Sequence, residues 1–178
     1  VASPAGLPGV VLAPVEGSWE RALRDPAVAI TDATDLPLVM LYVGRAEPLD
    51  PFTSQIGLAR SADGVTFLRD PRTAGEPVLS AAADALDPSA VSRPTVVWDA
   101  MRGLLLAWYA SRVEYDFALL HAVSVDGRAW APLPENPVLR PGVTVWCDDE
   151  YLEAPWVRLA PSGALQLWYH GRSATLGH

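Results

Sequence analysis

The apolar positions of this chain fall in short runs cut at close intervals by Gly, Pro and Asp, as in QIGLAR before Ser61 and FALLHAV before Ser124. β-Branched and aromatic residues dominate these runs, and no stretch carries a 3.6-residue apolar period over three turns, so the pattern predicts strands. AAADAL, Ala81 to Leu86, is the best helical stretch, and it reads as a loop with a single turn. The expected fold class is all-β.

The runs and their punctuation repeat. SADGVTF (Ser61 to Phe67) and SVDGRAW (Ser124 to Trp130) begin 63 residues apart. In each, Asp can accept from backbone amides two residues on and Gly supplies the positive φ of a tight turn, so each reads as a hairpin. Each is followed by a Pro-Val-Leu element, at Pro77 to Leu79 and Pro137 to Leu139, and GVVLAP at Val10 to Leu12 resembles the same element. Proline-led strands follow at Pro26, Pro94 and Pro155. Then come apolar strands holding Tyr42 and Arg45, Tyr109 and Arg112, and Tyr169 and Arg172, with the tyrosines 67 and then 60 residues apart. Four short strands per period are the sequence form of a β-propeller blade. An immunoglobulin-like sandwich gives no reason for a repeat of both turn and strand motifs. The expectation is a single partial β-propeller domain over 1–178, of four-stranded antiparallel blades at about 10–70, 76–133 and 137–178. The third copy lacks a Ser-x-Asp-Gly hairpin, leaving two and a half to three blades where a closed ring takes at least about four. The expectation is a fragment of a longer chain. Association of copies to complete a ring is the alternative.

Composition narrows the partners. A net charge of −8 repels polyanions, so neither nucleic acid nor an anionic membrane surface is expected. No apolar run approaches the roughly 20 residues of a membrane span. One cysteine, Cys147, allows no intramolecular disulfide and no cysteine metal cluster, and reads as a small hydrophobe. Val1 is compatible with a processed or trimmed start, and the compartment stays open.

Candidate chemistry gathers at the prolines. The innermost strand of a propeller blade lines the central channel, so Asp25, Arg93 and Glu153, each just ahead of the proline that opens its strand, are expected to converge at one mouth. The pattern PVL, WE, DPAV, LYVGR, IGLARSADGVTF and then EAPWV resembles the five-bladed propeller glycoside hydrolases: arabinanases, β-xylosidases and α-arabinofuranosidases, with invertases and levansucrases more distant. The resemblance runs from Val10 to Arg172 as dispersed motifs. It implies Asp25, in Asp25-Pro26, as general base or nucleophile, and Glu153, in Glu153-Ala154-Pro155, as general acid. Carboxyl groups about 6.5 to 9.5 Å apart imply inversion, and about 5 to 5.5 Å retention. The family's second-blade Asp, which tunes the acid, is replaced here by Arg93. Arg beside an acid favours the ionised form, which counts against ordinary catalysis, yet its planar donor fork suits a hydroxyl or a sugar carboxylate. Arg24-Asp25-Pro26 also resembles the Arg-Asp-Pro of invertase-like second blades, but that register would put the Glu at Arg93.

Trp19, Trp146 and Trp156 are the candidate sugar-stacking platforms, with inter-blade packing as the plainer reading. The Tyr-x-x-Arg repeats and the Ser-x-Asp-Gly turns read as architecture. Asp148, Asp149 and Glu150 in CDDEYLE offer oxygens to calcium, with a solvated acidic loop as the plainer reading, and no cofactor is expected. His121 and His170 lack ligand spacing to each other or to a Cys, so no metal is assigned to them. The functional expectation is a glycosidase-like propeller acting on a glycosidic bond at the channel mouth. The alternatives are a non-catalytic carbohydrate-binding or scaffold propeller, and a protein-interaction module that hides open blade edges in a homo-oligomer.

Overall fold

The computed structural model describes residues 9–48, 53–80, 90–113, 116–142 and 150–173. Among the described residues, ten strands build three antiparallel sheets. The first is β1 (Ala22–Ile30), β2 (Leu38–Arg45), β3 (Gln55–Ser61) and β4 (Leu68–Arg69), hydrogen-bonded in chain order. The second repeats it with β5 (Val91–Asp99), β6 (Leu104–Val113), β7 (Asp116–Ser124) and β8 (Ala131–Pro132). The third pairs β9 (Tyr151–Leu159) with β10 (Leu165–Arg172). This is a partial propeller of up-and-down blades, and the expected all-β class holds. The candidate helix at Ala81 to Leu86 lies outside the described residues.

Period-two alternation places the core between sheets. Val39, Leu41 and Val43 point from β2 to one side and, with Ile56 and Leu58, pack against Val91, Val96, Leu105, Ala107 and Tyr109 of the second sheet. Met40 and Tyr42 point to the other side, where Leu12, Trp19 and Phe67 cover them. The second and third sheets meet through Leu106, Trp108 and Val157, and through Ala110, Leu119 and Leu152. The first strands of the three sheets are neighbours, β1 beside β5 and β5 beside β9.

The recurring motifs have recurring structural roles. Leu79 bridges to Ile56 of β3, and Leu139 to Leu119 of β7, so each Pro-Val-Leu element adds a short edge to the third strand of its sheet. In the first Ser-x-Asp-Gly turn, Asp63 Oδ1 accepts from the amides of Val65 and Thr66, both at 2.9 Å. In the second, Asp126 Oδ1 accepts from Arg128 at 2.9 Å and from Ala129 at 3.2 Å.

The second turn also reaches across to the first sheet. The Arg60 guanidinium of β3 donates to the carbonyl of Asp126, while Arg128 Nη2 meets Asp70 Oδ2 at 2.7 Å and Arg60 Nε meets the same oxygen at 3.0 Å. Burial alone would push the Asp70 carboxyl up. Donors from Arg128, the Arg72 amide and Arg60 outweigh it and hold the group below the usual carboxylate range. The turn that reads as punctuation is therefore also a tie between blades.

Candidate active site

Each innermost strand skips register just before its proline. The β1–β2 ladder breaks between Arg24 and Ala27, the β5–β6 ladder between Ser92 and Thr95, and the β9–β10 ladder between Trp168 and His170. Proline has no N–H to give the ladder, so the pairing is interrupted around it. The result is a bulge in each strand, with Asp25, Arg93 and Ala154 at φ of 49°, 50° and 50°. That left-handed backbone is uncommon for residues with a Cβ and re-aims the side chain it carries. Tyr42, Tyr109 and Tyr169 lie across the three bulges, at the register positions the ladders skip.

This geometry changes one alignment. The sequence reading grouped Glu153 with Asp25 and Arg93, whereas the bulges make Ala154 their equivalent and pair Glu153 with Arg24 and Ser92. Glu153 nonetheless reaches the neighbouring strand. Its Oε1 is ion-paired with Arg93 Nη1 and also faces His170 Nδ1 at 3.2 Å. His170 is directly opposite Glu153 in the ladder, and its side chain is 57% exposed against 17% for Glu153. Tyr151 packs edge-on to the His170 ring with centroids 6.0 Å apart, and Arg172 lies 5.7 Å over Tyr151 while pairing with Glu150 at 2.9 Å. Asp25 takes the Nε of adjacent Arg24 at 3.0 Å. Two of the named site residues, Arg93 and Glu153, are thus in direct contact, and Asp25 sits at the corresponding bulge one strand over.

His170 is the residue that sequence reasoning passed over. Its signal was present: the equivalent positions opposite Arg24 and Ser92 are Val43 and Ala110, and only the third copy is polar. His121 differs in kind. It stacks on Trp108 at 4.1 Å, its Nδ1 is 2.8 Å from the Ala107 carbonyl, and burial pushes its pKa down.

The tryptophans separate. Trp19 stacks parallel to Tyr42 at 6.3 Å and donates its indole N–H to the Gly75 carbonyl at 2.6 Å, while its edge lines a surface pocket of about 450 Å³ with Glu16, Ser18, Arg21 and Glu47. The Tyr42 hydroxyl donates to Glu20 at 2.8 Å, and burial, with Glu20, pushes its pKa well above the ordinary value. Trp156 lies against Trp168, centroids 4.9 Å apart, with both rings about half exposed. Trp146, Cys147, Asp148 and Asp149 lie outside the described residues, so only Glu150 of the acidic run is seen, in its pair with Arg172. Among the described residues no three acidic, His or Cys side chains cluster as a metal site, and no helix is long and apolar enough to cross a membrane.

No protein-family model matches the chain, and no curated protein matches it significantly. Solved structures do. A glycoside hydrolase of the GH130 mannoside phosphorylase family, described as targeting β-1,2-mannosidic linkages in Candida mannan, is 24% identical with a TM-score of 0.58, covering 69% of this chain and 38% of its own. A glycosyl hydrolase from Bacteroides ovatus is also 24% identical, with a TM-score of 0.57 and coverage of 68% and 38%. A thermostable family-43 glycoside hydrolase has a TM-score of 0.59 at 12% identity, covering 88% and 43%. The fold is that of the glycoside hydrolase β-propellers. This chain spans about two fifths of the length of those propellers. The X-Pro bulges lie in the first strand of each of its three sheets.

Proposed function

We propose that this propeller acts on a glycosidic bond at the mouth formed by the three X-Pro bulges. The observation that carries the reading is the row of bulged strands that holds Asp25 and Arg93 on equivalent backbone and brings Arg93 onto Glu153, within a fold used by glycoside hydrolases. Hydrolysis needs a carboxylate to activate water or attack the anomeric carbon, and a proton donor at the leaving oxygen. Asp25 takes the first role, and the Glu153 end of the row supplies the second. Trp19, beside its surface pocket, and exposed Trp156 offer apolar faces to sugar rings. Arg93 binds a substrate hydroxyl or carboxylate.

Purified full-length protein hydrolyses aryl arabinofuranosides or aryl xylosides in this reading, and Asp25→Asn lowers turnover by at least about 100-fold. Glu153→Gln lowers it as well. Turnover indifferent to both substitutions removes these residues from the site. A second reading, a carbohydrate-binding propeller without catalysis, is favoured by the Arg93–Glu153 ion pair, because that pair already occupies the carboxylate. Saccharide binding by calorimetry, without turnover of any glycoside, is its signature.

A further inference from the structure

We propose that His170 carries the proton for this mouth and that Glu153, held by Arg93, is the carboxylate that positions it. The inference rests on the reading above that the mouth acts on a glycosidic bond, and it changes which atom delivers the proton.

Two donors meet at one oxygen. Arg93 Nη1 and His170 Nδ1 both converge on Glu153 Oε1. A guanidinium is a donor only, and a ring nitrogen facing a carboxylate that is already ion-paired donates too, so this oxygen acts as an acceptor twice over. A carboxylate bonded to one ring nitrogen fixes which nitrogen carries hydrogen and where the other points. Here Nδ1–H is taken by Glu153, which leaves Nε2 as the working atom. The ring is held on a second side by the edge-on contact with Tyr151.

The charged and titratable groups around the ring come from three strands: Glu153 and Tyr151 on β9, Arg93 on β5, and Arg172 on β10 with its partner Glu150. Cation and anion alternate through this cluster, so Glu153 is the group that meets both the Arg93 cation and the imidazole.

In the step, the Nε2–H of the cationic ring gives its proton to the bridging oxygen as the bond from the anomeric carbon to that oxygen breaks. The bonding pair leaves with the oxygen as an alcohol. Water oxygen bonds the anomeric carbon and its proton goes to the Asp25 carboxylate; solvent then returns a proton to His170 and removes one from Asp25. No oxidant or co-reactant is required.

The test compares wild-type full-length protein with His170→Asn and Glu153→Gln on two glycosides of one sugar, one with a nitrophenyl leaving group and one with an alkyl leaving group. Protonation matters little for nitrophenolate and greatly for an alkoxide. His170→Asn is expected to cut kcat on the alkyl glycoside by about 100-fold or more and on the nitrophenyl glycoside by less than about 10-fold. Glu153→Gln, whose amide oxygen still accepts from Nδ1, is expected to lose about 10-fold on the alkyl glycoside. If Glu153→Gln shows the leaving-group-dependent loss and His170→Asn does not, the proton sits on Glu153 and the proposal is overturned. Long-range ¹⁵N–¹H imidazole spectra provide a readout independent of turnover: neutral His170 is expected as the Nδ1–H tautomer, and Glu153→Leu shifts it toward Nε2–H. An unchanged tautomer in that variant overturns the positioning role. Wild-type protein inert toward both glycosides sinks the functional reading of the mouth and the catalytic role with it, while the tautomer still decides whether Glu153 holds the ring.

Discussion

At the scale of single residues, the most consequential groups outside the mouth are those that tie the two full sheets together. Asp70 is buried and receives Arg60, Arg128 and a backbone amide, so Asp70→Asn takes the carboxylate from Arg60 and leaves Arg128 with Asp126 at 3.3 Å, and is expected to cost about 3 kcal/mol in chemical denaturation. Because the folded carboxyl titrates below its unfolded value near 4, its contribution is complete above about pH 4 and is lost as pH falls through the folded value. The acid-side decline of Tm should therefore be shallower in Asp70→Asn than in wild type; an equally steep decline would place the acid sensitivity elsewhere. Residue-scale reading of the mouth was uneven for a physical reason. The places of Asp25 and Arg93 at register breaks follow from the prolines behind them, which remove a donor from the ladder. Glu153 was set in the same row by its place ahead of Pro155, but it stands two residues before that proline and the backbone puts Ala154 there. His170 acts only across a ladder, through a register that no single stretch of sequence displays, although its departure from Val43 and Ala110 was visible.

At the scale of elements, the two Ser-x-Asp-Gly hairpins look alike and do different work. Both glycines have positive φ, 76° at Gly64 and 74° at Gly127, so either change to Ala incurs the left-handed penalty of about 1 kcal/mol. A Cβ at Gly64 has only Leu38 within reach at 3.8 Å, whereas at Gly127 it meets Leu105 at 3.2 Å and Arg60 at 3.3 Å. Gly127→Ala should therefore lower Tm more than Gly64→Ala, and equal shifts would mean that the second turn does not press on the first sheet. The repeat showed where both hairpins lie. It did not show that the second is docked, because docking depends on Arg60, Asp70 and Arg128, which have no repeat of their own. Strand existence was legible for the opposite reason: two-residue alternation and punctuation by Gly and Pro are local, and β2, β3, β6 and β7 follow them directly.

At the scale of the molecule, the first two sheets share one apolar cluster, and Leu41 lies fully buried within it. Leu41→Ala is expected to cost about 3 kcal/mol and to lower hydrogen-exchange protection in β2 and β6 together. Loss confined to β2 would mean that the sheets unfold independently. The blade architecture was legible from the period of the motifs, since radial repetition writes each blade in the same order. The bulges that all three sheets share have a consequence of their own. Each provides a socket: a backbone shape set by proline and by the ladder on either side, into which a different side chain is plugged in each blade. Asp25 and Arg93 occupy two of the sockets with opposite charge, and Ala154 leaves the third without a functional group. The side chain presented at this row can then be changed by exchanging the plug while the strand pairing stays fixed. Arg93→Asp and Ala154→Asp are the two exchanges that test it, with strand register unchanged in the backbone amide spectrum and the charge beside Glu153 reversed in the first.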